Sequence, residues 1–177
     1  SLNNINLLVS DIGPGSFTGI RIGVSSCKAF SDSLNIPCVG ISSLEVLAYN
    51  IQNDGIICST IDCKNNNCYF ALYEKKNETF EILIEPQAES VNSCLAILKS
   101  YCEDTLANSS IYFVGNGSEI YKDEIKSTFS EAEFFSHEFN ILNSIGVSFT
   151  SSPSIVTSLV SIFNSRPPII KLLVLSS

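Results

Sequence analysis

Residues 13–23 read Gly13-Pro14-Gly15-Ser16-Phe17-Thr18-Gly19-Ile20-Arg21-Ile22-Gly23. Ahead of them the apolar run Ile5 to Ile12 has the length and continuity of a buried strand. Behind them Ile20, Val24, Cys27, Phe30 and Leu34 recur at helical spacing. The expected order is therefore strand, loop, and a helix over about 18–34. Asn35-Ile36-Pro37 should end that helix, because proline cannot donate the next hydrogen bond and disfavours a helical residue before it. Such an order gathers backbone amides and the positive end of a helix dipole at one spot, which suits an anion. The specific nucleotide signatures are missing, however: no Gly-Lys-Ser/Thr follows, and Gly13, Gly15 and Gly19 do not have the G-x-G-x-x-G spacing. The competing reading is structural. Glycines permit a tight turn, Pro14 stiffens it, and Ser16 or Thr18 caps the helix. Arg21 sits at the helix end where a cation is unfavourable, so it is expected to pair with a carboxylate, across an interface.

Further along, Cys38 to Ile41 reads as a second short strand, and Ser42 and Glu45 have capping-box spacing for a helix to about Ile51. Asp54-Gly55 then breaks the chain, and a lobe boundary is placed there, giving 1–54 as a first α/β lobe and 55–140 as a second. Ile56–Asp62, Cys68–Tyr73 and Thr79–Glu85 form an expected antiparallel meander. A helix over about 91–102, a strand at Ile111–Val114, a Gly115-Asn116-Gly117 loop and a helix carrying Ile120, Tyr121, Ile125 and Phe129 follow. From residue 141 the composition changes: all 18 acidic residues lie before it, while 141–177 holds ten serines and only Arg166 and Lys171 as charges. This stretch has neither a helical nor an alternating period.

With 45% apolar residues in 177, the chain can bury a substantial core, and its net charge of -8 argues against direct binding to nucleic acid or an anionic membrane. Seven cysteines include Cys58, Cys63 and Cys68 at C-x4-C-x4-C, which is not zinc spacing, so free, mostly buried thiols and a reducing cytoplasm are expected. No secretory leader pattern opens the sequence, and no run of apolar residues has membrane-spanning length. The single histidine, His137, cannot build a catalytic zinc site of the usual three protein ligands, so no metal is assigned. Asp62, at a strand end before a polar loop, is a candidate for orienting a nucleotide-bound metal, with Gly115 and Gly117 as a second phosphate turn. The alternative is that Asp62 caps the turn over Cys63–Asn67.

The stretch from Gly13 to Leu47, GPGSFTGIRIG followed by GISSLEVLA, closely resembles the TsaB (YeaZ) family. Ile61-Asp62, Cys68-Tyr69, Leu72-Tyr73-Glu74 and Val114-Gly115-Asn116-Gly117 resemble further stretches of it, so the likeness covers about residues 1–140. The resemblance implies a two-lobed actin-like ATPase (ribonuclease H-like) α/β fold that has lost most nucleotide-handling chemistry. It implies a non-catalytic scaffold for the homologous transferase TsaD, joined by the ATPase TsaE, in forming N6-threonylcarbamoyladenosine on tRNA. ATP and magnesium then belong to the complex rather than to this chain. The helix over 18–34 corresponds to one at the TsaD interface or in a homodimer, with Ile20, Val24, Cys27, Lys28 and Ser31 as the interface candidates. An actin-like nucleotide-binding ATPase is the alternative reading, and a metallopeptidase-like protein a more distant one. Family members carry a further β-meander and helix ahead of the position of Ser1, so the first lobe is expected to be incomplete. They also end in a charged amphipathic helix unlike residues 141–177, whose abrupt change of composition has the character of a shifted reading frame.

Overall fold

The computed structural model describes residues 8–77, 79–105 and 111–140. The expected strand residues 5–7 and the serine-rich stretch 141–177 lie outside the described residues. The described chain falls into two compact units, 8–46 and 47–140, dividing between Val46 and Leu47, ahead of the Asp54-Gly55 turn.

In the first unit β1 (Leu8–Asp11) and β2 (Cys38–Ile41) pair in parallel, with Leu8 opposite Cys38 and Asp11 opposite Ile41. The crossover between them is α1 (Phe17–Leu34), the helix predicted from the apolar spacing. Its buried stripe is Gly19, Gly23 and Cys27, one residue per turn. Cys27 packs with Leu8 and Ile36 to form this unit's core. Asn35 ends α1 in the left-handed conformation (φ 52°), and its N–H and that of Ile36 both return to the Ser31 carbonyl. Phe30, one of the apolar set, stands exposed, as do Phe17 and Ile22 of the same helix.

α2 (Ser43–Tyr49) begins where the capping pattern places it, with Ser42 Oγ accepting from the Leu44 amide at 3.2 Å.

The second unit is built on a five-stranded sheet in the order β5-β4-β3-β6-β7. The antiparallel meander consists of β3 (Gly55–Lys64), β4 (Asn67–Lys76) and β5 (Thr79–Ser90). Asn65 and Asn66, both at positive φ, supply the turn that the right-handed twist of a two-residue hairpin requires. α3 (Val91–Thr105) then carries the chain to β6 (Ile111–Val114), which lies parallel to β3, and a two-residue β7 (Glu133–Phe134) extends that side. Cys58, Phe70, Leu72, Leu98 and Phe113, all fully buried, centre the core.

Two expectations in this unit need correction. β5 continues past Glu85 to Ser90 through Pro86, which is tolerated because β5 is an edge strand whose pairing is already irregular between Phe70 and Tyr73 of β4. The single helix expected around Ile120–Phe129 is two short ones, α4 (Asn116–Ile120) and α5 (Lys122–Thr128). The break is Tyr121, whose backbone (φ -102°, ψ 25°) leaves the helix and whose hydroxyl reaches β3, so Tyr121 and Ile125 are buried while Ile120 is exposed.

Candidate functional site

The loop after β1 is organised by a residue that the sequence reading does not single out. The Asp11 carboxylate accepts the Gly13 amide at 2.8 Å and the Ser43 hydroxyl at 2.7 and 2.8 Å from its two oxygens. The Ser43 amide donates to the Gly13 carbonyl at 2.8 Å, and the Ile12 amide to the Ile41 carbonyl at 3.0 Å. Gly13 has φ 93°, and a Cβ there would lie 2.7 Å from Ile20 Cδ1, so the turn needs glycine both for conformation and for the approach of α1. Pro14 follows through a cis bond. Gly15 and Ser16 are exposed, and Ser16 is the N-cap, accepting from the Gly19 amide at 3.4 Å. The loop therefore already holds a carboxylate, bonded to one of its amides.

Beyond the loop, Phe17 and Arg21 stand exposed one helical turn apart. The Arg21 guanidinium lies 3.9 Å over the Phe17 ring, a cation–π contact within the helix. Of the interface candidates, Lys28 is exposed, and Ile20, Val24 and Ser31 are half-buried. The Ser31 hydroxyl is spent on the Ile36 carbonyl at 2.6 Å. Cys27 is completely buried in the unit's own core, and burial, then the neighbouring Cys38 thiol, pushes its own thiol up to about 12. It supports the helix from beneath rather than contributing surface. Exposed on α1 are Phe17, Thr18, Arg21, Ile22, Ser25, Lys28, Ala29, Phe30, Asp32 and Ser33.

The second glycine turn lies in the other unit, at the end of β6. Gly115 has φ 101°, and a Cβ there would fall 2.1 Å from the Thr60 carbonyl oxygen. One at Gly117 would meet Thr60 Cβ at 3.0 Å. These glycines let α4 press against β3. The Gly115 amide donates to Asn140 Oδ1 at 2.8 Å, and Asn140 Nδ2 donates to Glu119 Oε1 at 2.8 Å and to the Phe135 carbonyl at 3.3 Å. His137 Nδ1 lies 3.0 Å from Glu119 Oε1, and this side chain is well exposed. Asn140, with the nearby imidazole assisting, holds the Glu119 carboxyl below its ordinary range.

Asp62 is brought next to this turn, but its oxygens are occupied. Tyr121 Oη donates to Oδ1 at 2.6 Å, the Lys64 amide donates to the same oxygen at 3.1 Å, and Lys64 Nζ lies 3.3 Å from Oδ2. The Asp62 side chain is 7% exposed. The tyrosine hydroxyl, with help from Lys64, holds its carboxyl below the usual value, while the carboxylate pushes Tyr121 up to about 12. Asp62 thus caps the bulged turn and anchors Tyr121. Among the described residues no group of three or more His, Cys, Asp and Glu side chains could hold a metal, and all seven cysteines are free.

Asp11, Ser43, Asn140, Glu119 and Tyr121 organise the two turns without having been picked out as site residues by sequence. Only Asp11, bordering the glycine loop, carried a local hint. Ser43 and Asn140 act across 32 and 25 residues of chain, which no local pattern reports.

Fold and turns together define an α/β protein of the actin-like ATPase class in which both glycine turns are bonded to the protein's own side chains. The model of the family described as TsaD, tRNA N6-adenosine threonylcarbamoyltransferase, matches residues 1–171. The chain belongs to this family, in which its named relatives are TsaB (YeaZ) proteins. The tRNA threonylcarbamoyladenosine biosynthesis protein TsaB of Bacillus subtilis (strain 168) is 32% identical over 132 residues, 74% of this chain and 55% of that protein. The protein of the same name from Escherichia coli (strain K12) is 30% identical over 96 residues, 49% of this chain and 42% of that one. YeaZ from Pseudomonas aeruginosa shares the fold, with a TM-score of 0.54 and 20% identity over 71% of this chain and 56% of that chain. The chain spans about half the length of the relatives it matches. Among the described residues no helix is long and apolar enough to cross a membrane.

Proposed function

We propose that the chain acts as a non-catalytic partner of the transferase TsaD in forming N6-threonylcarbamoyladenosine on tRNA, with the ATPase TsaE as a further member of the assembly. The observation that carries this reading is the first glycine turn. It spends its Gly13 amide on Asp11, and the helix it launches presents Phe17, Arg21, Ile22 and Phe30 to the outside. A carboxylate in the loop repels a phosphate, whereas exposed aromatic, aliphatic and arginine side chains on one helix are the residue types that anchor protein interfaces. The net charge of -8 agrees with a role that reaches RNA through a partner.

Co-purification with TsaD tests the reading. A stable complex is expected, weakened by Lys28→Glu and by Phe17→Ser, and a complex indifferent to a rewritten outer face of α1 would sink the assignment. Titration with ATP and magnesium addresses the actin-like ATPase alternative: saturable heat from the chain alone would favour it, and the scaffold reading expects none.

A further inference from the structure

We infer that Asp11 and Ser43 form a latch that positions α1 for its partner, an inference that rests on the proposed role of α1 as the partner-binding helix. Three strands of geometry support it. Asp11 is the last residue of β1 and Ser43 the first of α2, so the pair joins the two ends of the β1-α1-β2 crossover that carries α1. The latch is closed in both directions, because Ser43 donates its hydroxyl to Asp11 and its amide to the Gly13 carbonyl, while the Gly13 amide donates back to Asp11. Two of these bonds fall on Gly13 itself, at φ 93°, and the Ile20 side chain lies directly over that residue. The conformation of Gly13 therefore sets where α1 begins and the direction in which its first turn points Phe17 and Arg21.

The pair has the burial that such a device requires. Ser43 is buried and Asp11 partly so, and the carboxylate's three short contacts are supplied within the unit. Removing the acceptor would leave the buried hydroxyl and the Gly13 amide without it, and the loop would relax among other glycine conformations. The expected consequence is misdirection of the first turn of α1, with the body of the helix still anchored by Cys27 on Leu8. Asp11 and Ser43 are positioning residues: they touch the turn, and the turn presents the interface.

The test compares Asp11→Ala, Ser43→Ala, the double variant and Asp11→Asn in the full chain, by TsaD affinity at a temperature where circular dichroism shows each variant folded. Asp11→Ala and Ser43→Ala should each weaken TsaD binding about tenfold, and the double variant no more than either alone, because both remove one device. Asp11→Asn keeps an acceptor for the Gly13 amide and a hydrogen-bonding group for Ser43, so it should restore most of the affinity. Thermal destabilisation with unchanged affinity, or an Asn variant as weak as the Ala variant, overturns the latch. If the unmodified chain does not bind TsaD, the partner reading fails on its own and amide exchange judges the latch. Protection of the Gly13 amide should then be lost in Asp11→Ala, protection of the first-turn amides of α1 should fall in both Ala variants, and both should be kept in Asp11→Asn, and equal protection in all variants overturns it.

Discussion

At the scale of single residues, the two glycine turns show how much a position can demand that its neighbours do not announce. Gly115 combines φ 101° with a Cβ site only 2.1 Å from a backbone oxygen of β3, which cannot move without breaking the sheet. Gly115→Ala should therefore cost about 3 kcal/mol or more in denaturant titrations, above an ordinary loop substitution. The Asp62–Tyr121 pair gives a prediction with a defined pH sign. The Asp62 carboxyl lies below its ordinary value of 3.8 in the folded chain, so its contribution is present above that value and is lost as pH falls through the lower folded value. Tyr121 is raised from 10.0 to about 12, so its contribution is full below 10 and lost as pH rises through about 12. Tyr121→Phe removes one hydrogen bond to a charged group and should destabilise the chain by about 2 kcal/mol at neutral pH. It should also flatten the loss of stability at both extremes, and thermal melts across pH read both effects. An unaltered acid limb in Tyr121→Phe would show that Asp62 draws its stabilisation from Lys64 instead.

At the scale of elements, α1 was legible because its apolar spacing, the serine N-cap and the Asn-Ile-Pro stop all point to the same helix. Which of its apolar residues face inward was less legible. Helical spacing groups Cys27 with Phe30, yet Cys27 is completely buried and Phe30, one turn further on, is exposed, and the buried stripe includes the small residues Gly19 and Gly23, which apolar spacing does not mark. Thiol chemistry reports this division directly. In the native chain at pH 8, Cys38 at the exposed start of β2 should alkylate at least ~100-fold faster than Cys27, whose thiol is buried and pushed up to about 12. Peptide mapping by mass spectrometry distinguishes them, and the gap should close in denaturant. The α4–α5 break escaped the sequence for a related reason: Ile120, Tyr121 and Ile125 fit a helical rhythm, but the hydrogen bond available to Tyr121 on β3 outweighs one continuous helix.

At the scale of the whole molecule, residues 47–140 contain a five-stranded sheet, its helices and a contiguous core cluster of their own. A unit with its own core can fold alone. A chain of residues 47–142 should keep a mixed α/β circular dichroism spectrum and a cooperative melt, and a non-cooperative melt would count against its independence. The family, the α/β class, the β3-β4-β5 meander and the first glycine turn were all readable from sequence, since each rests on local pattern: alternation, helical spacing, turn residues and a compact motif. What only the tertiary structure decided is what the two turns are bonded to. Asp11 with Ser43, and Asn140 with Gly115, are joined by hydrogen bonds across 32 and 25 residues, and a hydrogen bond depends on atoms meeting in space, which a one-dimensional pattern does not encode.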